Sequence, residues 1–78
     1  MEKIIMDKFQ TKLKVLRAEH NLTQEDVANK VGVVRQTIAY IERGDYMPSL
    51  GLAWRIAKLF HSTIDNVFIF EKDEKGKQ

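Results

Sequence analysis

Leu22-Thr23-Gln24-Glu25-Asp26-Val27-Ala28-Asn29-Lys30-Val31-Gly32-Val33-Val34-Arg35-Gln36-Thr37-Ile38-Ala39-Tyr40-Ile41-Glu42-Arg43-Gly44 is the stretch that decides the fold. The Thr23 hydroxyl can accept from the backbone N–H of Asp26, and Glu25 and Asp26 suit the positive end of a helix dipole. A full capping box would carry Glu or Gln in place of Asp26, so the match is partial. Val27, Ala28 and Val31 give the helix that opens here a buried side. Gly32 stands where that helix must stop, since glycine takes positive φ at no steric cost. The next helix follows almost at once. Val34, Ile38 and Ile41 recur at i, i+4 and i+7 as an apolar stripe, while Arg35, Gln36, Ala39, Tyr40 and Arg43 fall on the opposite face. Gly44 is the next stop.

Working outward, Phe9, Leu13 and Leu16 form one stripe and predict a helix from about Asp7 to His20, closed by Asn21. On the other side, the loop Asp45-Tyr46-Met47-Pro48 leads to Ser49, a natural N-cap. Leu52, Ile56 and Leu59 then share a line next to Ala53, Ala57 and Phe60, an apolar surface broad enough for a central, well-buried helix. Thr63 caps a short last helix from Ile64 to about Phe68, and Val67-Phe68-Ile69-Phe70 is an apolar run before a charged tail. Lys3–Met6 and Phe68–Phe70 are both β-prone and could pair with each other or across a dimer. The reading is an all-α domain of five helices with short connections and short strands at its ends. It divides into an extension (1–7), one domain (8–70) and a solvated, disordered tail (71–78).

A chain of 78 residues is one domain at most. Its 44% hydrophobic and 31% charged residues are the balance of a soluble globular protein. The absence of cysteine excludes a disulfide scaffold and a thiolate metal site. No apolar run approaches the roughly 20 residues of a membrane span, and the first residues are too short for a signal peptide, so the cytoplasm is the expected compartment. The net charge is only +2, but from Lys8 to Gly44 seven basic residues stand against four acidic ones, a local +3. No nucleophile, base and orienting group fall together, which leaves an enzyme without support. His20 and His61 fall at separate helix ends, so no metal or other cofactor is expected. Trp54 reads most simply as a packing residue, with a dimer contact as its second reading.

Two short helices joined by a Gly-containing turn form a helix-turn-helix unit, and Thr23–Arg43 fits it. The outer face of the second helix carries Arg, Gln, Thr and Tyr in place of the Lys/Glu pairs of a merely solvated helix. Arginine donates two bonds to guanine, and glutamine both donates to and accepts from adenine.

Leu22-Thr23-Gln24-Glu25-Asp26-Val27-Ala28, Val31-Gly32-Val33-Val34-Arg35-Gln36-Thr37-Ile38, Ile41-Glu42-Arg43-Gly44 and Pro48-Ser49-Leu50 together resemble the phage-repressor and Cro-like family of helix-turn-helix regulators. The resemblance runs from about Leu13 to Phe68 and is strongest to very small prokaryotic members. It implies that Gln24 bonds a phosphate and braces the recognition helix. Thr23 is a capping and phosphate candidate. Arg35, Gln36 and Tyr40 would face the major groove, Thr37 a phosphate or a thymine methyl, and Arg43 the DNA backbone. Arg17 and Glu42 match the family's partly buried ion pair between its first and third helices. The chain departs from the pattern at Val34, where a capping Ser or Thr is usual, and at Asn21 and His61, where Gly is frequent. Asp45 places a negative charge near the expected DNA backbone.

The expected function is a DNA-binding transcriptional regulator, more readily a repressor, working as a homodimer at the nucleoid, with no small-molecule ligand and no membrane. The candidate dimer surface is the last helix with Val67, Phe68, Ile69 and Phe70, and Trp54 nearby. The alternative is a protein-interaction module, such as an antitoxin subunit or an adaptor, built on the same fold.

Overall fold

The computed structural model describes residues 9–70. In chain order these form β1 (Phe9–Thr11), α1 (Leu13–Glu19), α2 (Gln24–Val31), α3 (Arg35–Glu42), α4 (Leu50–Leu59), α5 (Ile64–Val67) and β2 (Phe68–Phe70). The five helices surround a core led by Leu13, Val27, Ile38, Ile41, Ile56 and Val67, each essentially without solvent contact. The i, i+3/i+4 spacing of apolar side chains lets these short helices bury one stripe each.

The N-terminal part differs from its sequence reading. The helix begins at Leu13, not near Asp7, because Phe9–Thr11 is extended and pairs antiparallel with β2, Phe9 opposite Phe70 and Thr11 opposite Phe68. The pairing supplies the backbone partners that a helical turn would otherwise give. Lys12 N–H donates to the Val67 carbonyl at 2.9 Å, and the Thr11 hydroxyl accepts from Leu13 N–H at 3.2 Å, which starts α1. Phe9 keeps its place in the core through the strand, its ring 6.3 Å from Phe68 and 6.0 Å from Phe70. The strand partner of Phe68–Phe70 is thus Phe9–Thr11; Lys3–Met6, the extension and the tail lie outside the described residues.

Helix ends follow local chemistry. At α2 the capping box is complete despite the shorter acid: Asp26 N–H donates to Thr23 Oγ1 at 3.0 Å, and Thr23 N–H donates to Asp26 Oδ2 at 2.9 Å. The bond from the Thr23 backbone, with that from its hydroxyl, holds the Asp26 carboxyl below the ordinary aspartate range. Ser49 caps α4 through Leu52 N–H at 3.1 Å. Thr63 makes no side-chain cap bond, and α5 ends at Val67, one residue early, where β2 takes over the backbone. Val34 is also corrected. It is the N-cap of α3, makes no side-chain bond and is 65% exposed, so the buried stripe of α3 is Ile38 and Ile41 alone. Extended backbone at the cap turns its side chain away from the helical stripe.

Asn21 and His61 close α1 and α4 with φ of 56° and 55°, which suits residues that tolerate the left-handed region. Gly32 and Gly44 do the same for α2 and α3 at 83° and 79°. They differ in their surroundings. A Cβ at Gly32 would meet nothing, whereas one at Gly44 would lie 3.1 Å from the Phe9 carbonyl oxygen. Gly32→Ala is therefore expected to cost about 1 kcal/mol, the backbone term alone. Gly44→Ala should cost about twice that, because β1 must also yield. Paired thermal melts check the order; equal losses would show that Phe9 moves freely.

Candidate nucleic-acid interface

The α2–α3 unit is held by its apolar inner faces and by a polar chain across one end. Arg17 on α1 grips Glu42 at the end of α3 in a two-pronged ion pair, its second bond running from Nη2 to Oε1 at 3.1 Å. The side chains are only 16% and 7% exposed. The Glu42 bond stabilises the charged guanidinium and raises its pKa, against burial that lowers it. Arg17 Nη1 also donates to the Leu22 carbonyl at 3.0 Å, so the turn between α1 and α2 joins the same contact.

The chain of bonds continues outward. Gln24 Nε2 donates to Glu42 Oε1 at 3.0 Å, and Gln24 Oε1 accepts from Arg35 Nη1 at 3.1 Å. Gln24 therefore bridges the last residue of α3 to its first, which sets the position of Arg35 against the partly buried pair. One Nε2 hydrogen of Gln24 remains for a further acceptor. Among the described residues no buried side-chain nitrogen or oxygen lacks a partner.

On the opposite face of α3, Arg35, Gln36 and Tyr40 are exposed, as is Arg43 at its end, and Thr37 is half-buried. Arg43 lies with its guanidinium 4.9 Å from the centroid of the Tyr40 ring and its Nε donating to Asp45 at 2.9 Å. Thr23 is exposed at the start of α2, with its hydroxyl taken up in the capping box. The polar side chains singled out in the sequence from 23 to 43 are thus exposed, half-buried or held in the bonds that brace the α2–α3 unit. This surface offers guanidinium, amide and phenol groups on a rigid helix, a set able to bond base edges and phosphates. It holds no cluster of side chains able to bind a metal among the described residues.

The C-terminal surface is different from its sequence reading. Val67 and Phe68 are buried in the chain's own core, at 0% and 4% exposure, so they are removed from the candidate dimer surface. Strand alternation and the end of α5 turn them inward. Ile69 and Phe70 remain exposed, and so does Trp54, beside whose ring Lys58 lies at 5.2 Å. Sequence reading missed Leu50, which is 77% exposed, and an apolar groove of about 290 Å³ lined by Phe9, Met47, Pro48, Leu50, Ala53, Ile64, Phe68 and Phe70. Its walls come from four separate elements and the loop before α4, which no local spacing brings together. It also missed Arg55, whose Nε donates to the Val31 carbonyl at 3.1 Å and ties α4 to the end of α2.

Residues 13–67 match the helix-turn-helix family. The chain is 60% identical over 66 residues to an uncharacterized HTH-type transcriptional regulator of Methanocaldococcus jannaschii, covering 85% of this chain and 100% of that protein. It is 38% identical over 52 residues to the cryptic phage CTXphi transcriptional repressor RstR of Vibrio cholerae, across 67% of this chain and 47% of that one. Among solved structures, an HTH_3 family transcriptional regulator from Vibrio cholerae superposes with a TM-score of 0.61 at 29% identity, over 70% of this chain and 31% of the other. These are regulators and not an enzyme class. With its brace, turn and exposed third helix in place, and with the match spanning all five helices, the chain belongs to the helix-turn-helix family of transcriptional regulators.

Proposed function

We propose that this protein is a sequence-specific double-stranded-DNA-binding transcriptional regulator that acts as a homodimer, with α3 in the major groove. The observation that carries the reading is the outer face of α3. Arg35, Gln36, Tyr40 and Arg43 are exposed on a helix whose other face is buried and whose two ends are tied through Gln24 and Glu42. Arg35 and Gln36 read base edges from its first turn. Tyr40 follows one turn on, and Thr23, Thr37 and Arg43 contact the backbone. Gln24 orients Arg35 and gives its free Nε2 hydrogen to a phosphate. Repression, by occupying a promoter, is the favoured sign of regulation, as in the name of the similar RstR protein. In the cell the protein works in the cytoplasm, on the nucleoid.

A single module of this kind buries on the order of 600–1,000 Å² against DNA, too little for tight specific binding alone. A second copy doubles the contacts and places two recognition helices about 34–36 Å apart. Leu50 and Phe70 in the wall of the apolar groove, with the exposed Trp54 and Ile69, form the surface we assign to that copy. Leu50→Glu places a charge there without touching α3. The variant is expected to sediment as a monomer at micromolar concentration while keeping its helical spectrum. An unchanged mass would move the interface elsewhere.

Selection from a random duplex library at fixed salt tests the reading as a whole. The expected product is a near-palindrome with half-sites about 10–10.5 bp apart. Salt-sensitive retention of every sequence alike, with no enrichment, would overturn sequence-specific reading.

A further inference from the structure

Beyond the end of α3 the chain carries an acid where a DNA-facing surface has most use for cations. Gly44, at φ 79°, reverses the backbone. Its N–H donates to the Ile41 carbonyl at 3.0 Å, and Asp45 N–H donates to the Tyr40 carbonyl at 2.9 Å. This closed turn sets Asp45 beside the exposed face of α3. There its Oδ2 accepts from Arg43 Nε at 2.9 Å, and the same guanidinium lies 4.9 Å from the centroid of the Tyr40 ring.

The pair is not a device for stability. Its side chains are 57% and 60% exposed, and ion pairs in that setting contribute almost nothing to folding. Its effect falls on what Arg43 can do next. A guanidinium grips a phosphate through two parallel N–H groups, and the Nε edge needed for one such fork is already committed to Asp45. Of the cationic side chains from Arg35 to Arg43, one is tied to Gln24 and the other to Asp45. Base contacts from Arg35 and Gln36 do not pass through Asp45, whereas the sequence-independent term is made of phosphate neutralisation.

We propose that Asp45 sets specificity by withholding Arg43 from the DNA phosphates, which suppresses binding to unselected DNA more than binding to the preferred site. The inference rests on the reading of α3 as the DNA-facing helix. On unselected DNA the lost phosphate contact is a large share of the whole. On the preferred site the base contacts fix the register of α3, and Arg43 stays paired through Nε and reaches the backbone only with its remaining N–H groups, so removing Asp45 adds less there.

The test measures the affinity of full-length wild type, Asp45→Asn and Asp45→Glu for two duplexes, one of random sequence and one enriched by selection, across a salt series. Asp45→Asn is expected to bind the random duplex about three- to tenfold more tightly, the scale of one screened charge contact. Its gain on the enriched duplex should be smaller, so the ratio between the two narrows. The slope of log K against log salt should steepen by about one, one additional phosphate being neutralised. Asp45→Glu, which keeps the carboxylate, should stay near wild type, and neither variant should shift the melting temperature. In an Arg43→Gln background the Asp45→Asn gain should vanish. A full gain in that background, or no change on either duplex while wild type still enriches a sequence, overturns the Asp45 assignment and leaves the reading of α3 intact. Failure of wild type to retain any DNA overturns both.

Discussion

Glu42→Ala should lower the melting temperature by roughly 12–24 °C. The magnitude follows from what the change leaves behind. Arg17 is 16% exposed and loses both bonds of its ion pair. Arginine cannot escape by giving up its proton, so a partly buried cation stays uncompensated. Removing one partner of a buried pair costs about 3–5 kcal/mol. Each kcal/mol moves the melting point of a domain this small by about 4–8 °C; the lower part of the cost range applies because Arg17 keeps its bond to the Leu22 carbonyl. Gln24 also loses its acceptor, which frees the bridge to Arg35. Glu42→Gln, which keeps one carbonyl oxygen for Arg17 or Gln24, should lose less. A thermal melt of the three proteins decides the matter. An unchanged curve for Glu42→Ala would remove the Arg17–Glu42 contact from what holds α1 against α3.

Arg35→Ala should leave the melting temperature within a degree or two and reduce binding to the selected duplex by about 1–3 kcal/mol, roughly five- to 150-fold. Arg35 is exposed at the first position of α3, and its one side-chain bond goes to Gln24, itself still anchored on Glu42. Alanine is the better helix former at an exposed position, so folding loses nothing that matters. Binding loses a planar donor aimed outward from a fixed helix. The affected base pairs should be those adjacent to the α3 N-terminus in each half-site, and sequence preference should relax there alone. Gln36→Ala should relax a neighbouring position by a similar amount. If Arg35→Ala weakens binding to every duplex equally, Arg35 is a phosphate contact and not a reader of bases. If it changes no binding at all, α3 is not the recognition helix.

The two substitutions separate the parts of the site that differ most in legibility. Residues 35–43 could be assigned an outer face from the sequence, because helical spacing sorts polar from apolar side chains within a few turns. The path from Arg17 through Glu42 and Gln24 to Arg35 could not be followed in the same way. Its members come from α1, α2 and both ends of α3, and a hydrogen bond between side chains far apart in sequence has no periodic signature. The resemblance to known regulators implied that Arg17 meets Glu42, but the bridging by Gln24 is a matter of atomic position. Val34 shows the opposite error. Its spacing from Ile38 placed it on the buried stripe, yet it is the extended cap residue, and extended backbone does not obey the helical period.

By itself the sequence determined the five helices, their glycine and asparagine stops, the caps at Thr23 and Ser49, the apolar stripes of α2 and α4 and the polar face of α3. All of these are written in local terms, since a helix closes its hydrogen bonds within four residues and its caps within three. The tertiary structure alone decided that Phe9–Thr11 is a strand, that Val67 and Phe68 belong to the core, that Met47, Pro48 and Leu50 open a groove with Phe70, and that Asp45 reaches Arg43. The first three depend on which distant segments meet, and the ladder bonds of β1 exist only once β2 has been carried beside it by the packed helices. The last depends on the direction in which one closed turn at Gly44 aims a side chain.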